Sequence, residues 1–209
     1  MIYELTTYDL KPRSLSLVEA RLGEVYVENG RPPELIGSFH TEFGPLNQIV
    51  QIRRYAGIEH CQSVAARHAM PTGIGEHVLT VTNQLMTPTA ISPELKPGQL
   101  GPYFELRTYT FPLGTLDKLI ESWGRAMPMR DQLGSPVAAI WTSMAGGLNS
   151  LTHIWPYKSL QEREHIRLKV RESGLWPPYK LDLAEGGMGY EILSQCNKLM
   201  LPAVFSPLQ

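Results

Sequence analysis

Polar and apolar residues alternate along 2–9, and β-formers dominate the stretch, which predicts a strand. From 14 to 28 the period lengthens: Leu15, Val18, Leu22 and Val25 recur every three to four residues, one apolar stripe of a helix. Ser14 is a plausible N-cap, Asn29-Gly30 ends the helix, and Arg31-Pro32-Pro33 bars its continuation. Alternation returns at 35–43 and 47–55, with Gly44-Pro45 turning one strand into the next. A second helix is predicted over 58–70, a break at 71–73, and a last strand over 77–86. The rest of the chain repeats this order: strand 103–110, helix 115–127, hairpin 137–154, helix 160–173, strand 190–199. The pattern is βαββαβ twice, the split-βαβ or ferredoxin-like plan.

The two halves also match in residue identity. FHTEFGPLNQIVQIRRY (39–55) aligns without a gap on WTSMAGGLNSLTHIWPY (141–157), sharing Gly44/Gly146, Leu46/Leu148, Asn47/Asn149, Ile52/Ile154 and Tyr55/Tyr157. YELTTY (3–8) returns as FELRTY (104–109), and NQLMTPTAISP (83–93) returns as NKLMLPAVFSP (197–207). Three collinear matches make each half one structural unit. The units are 1–94 and 103–209, joined by a linker at 95–102 within the Pro- and Gly-rich stretch 92–102. The second unit carries about twelve extra residues, placed near 174–189 by the change in offset; a long loop of this kind suits a lid or an oligomer contact. One such unit leaves a sheet face bare. Two can cover each other, giving an α+β fold of tandem ferredoxin-like repeats closed into an eight-stranded barrel with helices outside.

Strand alternation sorts the side chains into faces. Glu4, Thr6 and Tyr8 share one, as do Glu105, Arg107 and Tyr109; Ser38, His40 and Glu42 share another, and Gln51 and Arg53 align with His153 and Trp155. The expectation is that these polar faces line the barrel, with Val50, Ile52 and Ile154 packed against the helices.

Composition narrows the function. Net charge is −1, from 19 basic and 20 acidic residues, so no nucleic acid is expected as a partner. No apolar run reaches the length of a membrane span, and the N-terminus has no basic region leading into an apolar one; cytoplasm is the default. Cys61 and Cys196 lack CxxC spacing and read as free thiols. His60, His68, His77 and His165 are scattered, so no metal site is expected. The glycines of AEGGMGY (184–190) precede a strand rather than a helix, which argues against a phosphate loop.

TEFGPLNQIV followed by Tyr55, the openings YELTTY and FELRTY, and the closing NKLMLPAVFSP together resemble the NIPSNAP family, part of the dimeric α/β-barrel superfamily. The resemblance covers nearly the whole chain, as two tandem copies. The family's central motif, roughly Trp-x-Thr-Glu-Ile-Gly-x-Leu-Asn-Gln followed by His-Leu-Trp-x-Tyr, is divided here. Thr41, Glu42, Gly44, Leu46, Asn47, Gln48 and Tyr55 match in the first half; Trp141, Gly147, Leu148, Asn149, His153, Trp155 and Tyr157 match in the second. Gln51 and Arg53 replace the motif's His and Trp in the first half, and Met144 replaces its Glu in the second. The superfamily implies a choice among cofactor-free oxygenases, isomerases and haem-binding enzymes, which the fold does not make.

The residues themselves offer a site. His40 and Glu42, two apart on a strand, form the candidate catalytic pair: a carboxylate beside an imidazole raises its pKa and orients the ring for proton transfer. The bland alternative is a strand-end pair bonded to backbone or water. Arg53 and Arg107 suit a carboxylate or enolate, or else pair with Glu4, Glu105 or Glu42. Tyr109, His153 and Trp155 complete a candidate substrate wall, or are satisfied core residues. Asn47 and Asn149 are substrate contacts or turn residues that bond the backbone. The expected function is a small-molecule enzyme without a bound cofactor, with haem on His40 or His153 as the open alternative, acting on an apolar or aromatic compound inside the barrel. The alternative is a binding or scaffold module. A homodimer is expected, through exposed sheet edges or the Trp-bearing loop around Trp176.

Overall fold

The structure is a computed structural model that describes residues 1–64, 73–134, 136–174, 176–178 and 191–209. Twelve described elements follow the predicted order: β1 (Ile2–Leu10), α1 (Leu15–Asn29), β2 (Leu35–Phe43), β3 (Gln48–Tyr55), α2 (Ile58–Val64), β4 (Val78–Pro88), β5 (Tyr103–Thr110), α3 (Leu116–Gln132), β6 (Ala139–Ala145), β7 (Ser150–Tyr157), α4 (Leu160–Glu172) and β8 (Ser194–Pro202). The end of the predicted second helix, its break at 71–72, and most of the extra segment at 174–189 lie outside the described residues.

The end of α3 and the start of β8 depart from the predicted boundaries. α3 runs past Pro128, where the sequence predicts a stop. The proline forfeits one backbone hydrogen bond, but continuing the helix buries Arg130, one turn beyond the buried Ala126 and Met127. β8 begins at Ser194 rather than at 190, and it extends to Pro202, pairing with β2 as far as Phe39.

The strands close into a barrel in the order β1-β3-β2-β8-β5-β7-β6-β4, β4 returning to β1. Each half contributes a ferredoxin-like sheet, β4-β1-β3-β2 and β8-β5-β7-β6, and every neighbouring pair is antiparallel. The seams are reciprocal: β2 of the first half pairs with β8 of the second, and β4 with β6. Each seam is met by a hairpin tip. A Cβ on Gly44 would lie 2.8 Å from the Asn197 carbonyl oxygen, and one on Gly146 would lie 2.6 Å from that of Asn83. Glycine is therefore required at both places. Closure uses every sheet edge, which removes edge pairing as a ground for a homodimer.

Asn47 and Asn149 follow these tips with φ of 56° and 53°. Asparagine tolerates this left-handed conformation better than most residues. Their carbonyls accept equivalent bonds, from the Leu10 N–H (2.8 Å) and the Phe111 N–H (2.9 Å). The pair shapes both halves alike, which is a structural role.

The expected assignment of faces is overturned. Tyr3, Leu5, Phe39, Val50, Ile52, Met86, Phe104, Leu106, Trp141, Ile154 and Met200 form the central buried cluster inside the barrel. Tyr3 stacks on Trp141 with ring centroids 4.5 Å apart, and Phe39 meets Phe104 at 5.0 Å. Leu95 from the linker and Leu208 from the C-terminus join the same cluster. Toward the hairpin end the inner wall turns polar, with Thr41, Gln48, Ser150 and Thr152 buried. The faces bearing His40, Arg53, Arg107, Tyr109, His153 and Trp155 look outward, under the helices. An eight-stranded barrel is just wide enough to be filled by side chains, and here aromatic residues fill it.

Candidate functional site

The outward polar faces are matched by polar residues on the helices. On the first half, His40 Nδ1 lies 3.1 Å from Glu19 Oε1 of α1. Gln51 donates to the Tyr26 hydroxyl at 3.0 Å. The expected His40–Glu42 pairing is replaced by this His40–Glu19 contact. Glu42 falls at the register shift between Thr41 and Phe43, which leaves it exposed at the hairpin rim. The Glu19 hydrogen bond raises the His40 pKa above its ordinary 6.5 against the opposing effect of burial.

Arg53 is buried in the same layer. Its Nη2 donates to Gln51 Oε1 at 2.5 Å, and its Nη1 lies 3.8 Å from Glu4 Oε2. Glu4 also accepts from the Tyr55 hydroxyl and from Asn83. Among the described residues one carboxylate thus faces one guanidinium, with amides and hydroxyls around them.

The second half is built differently at equivalent positions. Arg107 stands where the first half has Thr6, His153 where it has Gln51, and Trp155 where it has Arg53. Glu105, fully buried, takes the place of Glu4. Three guanidinium groups converge on it: Arg163 at 2.5 Å, Arg107 at 3.1 Å and Arg167 at 3.2 Å. Arg163 and Arg167 come from α4, four residues apart on one face. That helix is set by Ser159, whose side chain accepts from the Glu162 N–H at 3.0 Å, while Glu162 accepts from the Lys158 N–H.

These groups surround a cavity of about 50 Å³, between β5 and β7 on one side and α3, α4 and Trp176 on the other. Its lining includes Glu105, Arg107, Arg130, His153, Trp155, Tyr157, Arg167 and Arg171. Arg130, on the extension of α3 past Pro128, lies 4.0 Å over the Trp155 ring and 4.8 Å from the Trp176 ring. Arg107 donates to the Tyr109 hydroxyl at 2.7 Å.

His153 is 1% exposed, enclosed by the rings of Trp123, Tyr109 and Trp155. The Trp155 Nε1–H donates to His153 Nδ1 at 2.6 Å. An imidazole that accepts at Nδ1 is neutral and carries its proton on Nε2. Burial, reinforced by the Arg107 and Arg130 charges, holds its pKa well below the ordinary 6.5. The Nε2–H has no partner among the described residues. A buried donor of this kind costs about 1–3 kcal/mol unless a ligand or water takes it. His153 therefore offers a fixed hydrogen-bond donor rather than an acid.

The site thus gathers Arg107, Tyr109, His153 and Trp155 from the expected set. His40, Glu42, Asn47 and Arg53 belong to the first half, and Asn149 to the hairpin tip. The sequence reading missed Arg130, Arg167 and Arg171, and gave Trp176 to a lid or an oligomer contact. Arg163, Arg167 and Arg171 recur at four-residue spacing, a legible stripe on one helix face. Haem does not fit: His40 is engaged by Glu19, and a cavity of about 50 Å³ beside His153 has no room for a porphyrin. Among the described residues, no three His, Cys, Asp or Glu side chains gather as metal ligands, and no helix is long and apolar enough to cross a membrane.

Comparison with known proteins agrees with this architecture. NipSnap homolog 1 of Danio rerio is 26% identical over 223 residues, covering all of this chain and 77% of the zebrafish protein. Human NipSnap homolog 2 is 26% identical over 227 residues, again covering all of this chain and 75% of its own length. Among solved structures, an anthrone oxidase-like protein superposes with a TM-score of 0.69 at 11% identity, covering 100% of this chain and 94% of that one; at this identity the likeness is one of fold. The NIPSNAP family profile matches twice, over residues 3–93 and 104–207, so the chain belongs to the NIPSNAP family, in two tandem copies.

Proposed function

We propose that this NIPSNAP protein is an enzyme without a bound cofactor that acts on a small organic molecule in the sheet–helix pocket of its second half. The observation that carries the reading is the Nε2–H of buried His153, unpartnered among the described residues, on the wall of a cavity shared with Arg107 and Arg130. A substrate carbonyl oxygen placed there would accept from His153. Charge developing on that oxygen, as in an enolate or oxyanion, would be stabilised by the two guanidinium groups. A neutral imidazole fixed by Trp155 does this without giving up its proton, because its pKa is depressed. Trp155 and Trp176 would hold an apolar or aromatic body beside that oxygen. Glu105, gripped by three arginines, serves to position Arg107 and Arg167 rather than to take a proton. This chemistry fits proton transfer, and isomerase, lyase or monooxygenase reactions that pass through a stabilised carbanion, the substrate C–H proton leaving to solvent water at the exposed Arg171 side of the pocket.

The filled barrel interior favours the second reading, a binding or scaffold module in which the same residues only hold the helices to the sheet. Solvent deuterium exchange separates the two. Enolisable ketones and aldehydes are incubated with the protein in D₂O and followed by NMR. The enzyme reading expects exchange that falls about 100-fold or more in His153→Phe, the cost of losing one oxyanion donor. No exchange across the panel, with no small molecule released from freshly purified protein on mass spectrometry, leaves the scaffold reading.

A further inference from the structure

Among the described residues the two halves differ in charge. In the first, Glu4 faces Arg53. In the second, the cavity lining among the described residues holds four guanidinium groups, those of Arg107, Arg130, Arg167 and Arg171, against the single carboxylate of Glu105. Four against one leaves a formal excess of three positive charges, since His153 is neutral. Burial lowers the Arg130 pKa, with the Arg107 charge adding to the effect against a raising hydrogen bond to Tyr157. Arg107 Nε, like His153 Nε2, is buried with no partner among the described residues.

Size and shape narrow the choice of anion. About 50 Å³ is room for roughly three or four waters, enough for one small planar group and not for a polyanion. Guanidinium forks match a carboxylate in two parallel hydrogen bonds, and Trp155 and Trp176 line the same cavity, with Arg130 against both rings. Arg167 is 37% exposed and Arg171 is exposed, so both stand on the solvent side of the cavity, where an anion would arrive.

We infer that the pocket takes a small organic acid, its carboxylate seated among Arg107, Arg130 and Arg167 with the His153 Nε2–H as a further donor. The inference rests on the pocket reading above and adds the substrate class to it.

The test uses the full chain and three probes of similar size: benzoate, its neutral counterpart benzamide, and phenyl phosphate. Binding is read as saturable quenching of tryptophan fluorescence, with calorimetry for affinity. Benzoate should saturate, and benzamide at the same concentrations should not. The benzoate Kd should rise about tenfold or more in Arg107→Met and in Arg167→Gln, as expected on losing a hydrogen bond to a charged group. Arg107→Lys keeps the charge and should stay closer to wild type than Arg107→Met. Arg167→Gln, at the partly exposed position, keeps the test open should Arg107→Met fold poorly. Benzamide binding as tightly as benzoate sinks the acid assignment and leaves the pocket reading standing. Phenyl phosphate binding tenfold tighter than benzoate replaces carboxylate by phosphate. Benzoate binding unaltered in both arginine variants places the anion elsewhere and overturns the inference. Saturation by none of the three removes both the inference and the pocket reading.

Discussion

His153 makes a measurable demand on stability. In the folded chain the ring is 1% exposed and stays neutral. In the unfolded chain it takes up a proton with an ordinary pKa of 6.5. As pH falls below that value the unfolded state binds the extra proton, so stability is full above about pH 6.5 and declines in acid. For a ring still neutral at pH 5, RT ln(1 + 10^1.5) gives a loss of about 2 kcal/mol. His153→Gln removes the titration while keeping an amide beside the Trp155 N–H. Urea unfolding of both proteins in steps from pH 7.5 to 5 isolates the effect, because carboxylates and the other histidines cancel in the difference. The stability difference, wild type minus variant, should fall by about 2 kcal/mol over that range. Imidazole ¹⁵N shifts should show His153 neutral, with its proton on Nε2, at pH 5. A difference that stays flat with pH, or a His153 resonance titrating near 6.5, would refute the account of the ring as a fixed neutral donor.

Glu105→Gln strips a buried carboxylate from three arginines and should cost about 3 kcal/mol, the low end for breaking a buried ion pair because Arg163 and Arg167 are partly exposed; a loss below about 1 kcal/mol in urea unfolding would show that the arginines relax into solvent. Trp141→Ala opens a void inside the barrel and should cost about 3–5 kcal/mol by the same measurement. Asn47→Ala should cost about 1–2 kcal/mol for its left-handed backbone, while Asn47→Gly stays within a few tenths; equal losses in thermal unfolding would contradict the conformational explanation. His40 has the opposite sign from His153. Its folded pKa is raised by Glu19, so its contribution is present below the ordinary 6.5 and is lost as pH rises through the raised value. Glu19→Gln should flatten that decline above pH 6.5, and an unaltered profile would dismiss the pair.

The duplication, the order of elements and the barrel were legible because period-two and period-three-to-four patterns recur in both halves and the matched segments are collinear. The facing of the strands was not. Alternation separates two faces but does not say which one looks inward. The polar face was assigned to the interior because a cavity was expected there, although Tyr3, Phe39, Phe104 and Trp141 all lie on the other face and have the bulk to fill an eight-stranded barrel. The helices carried the missing signal: Glu19, Arg130, Arg163 and Arg167 need buried partners, and only the outer face of the sheet supplies them. Pro128 hid Arg130 by ending the predicted helix one turn early. Glu42 matched the family motif, but its exposure depends on a register shift between β2 and β8, a contact between distant segments that local pattern does not encode.

The reciprocal seams bear on how the molecule goes wrong. A chain with only one half folded would present two bare strands, and the surfaces that fit them belong to the other half of any copy of the same chain. Two such molecules could trade halves and rebuild the same barrel twice, intertwined, with no new contact. The tether between halves is held near the barrel floor by Leu95 and by the paired backbones of Gly98 and Gln209, which keeps the chain's own partner close at hand. Crowded refolding, where the neighbour's half is equally near, is the circumstance in which exchanged dimers should accumulate.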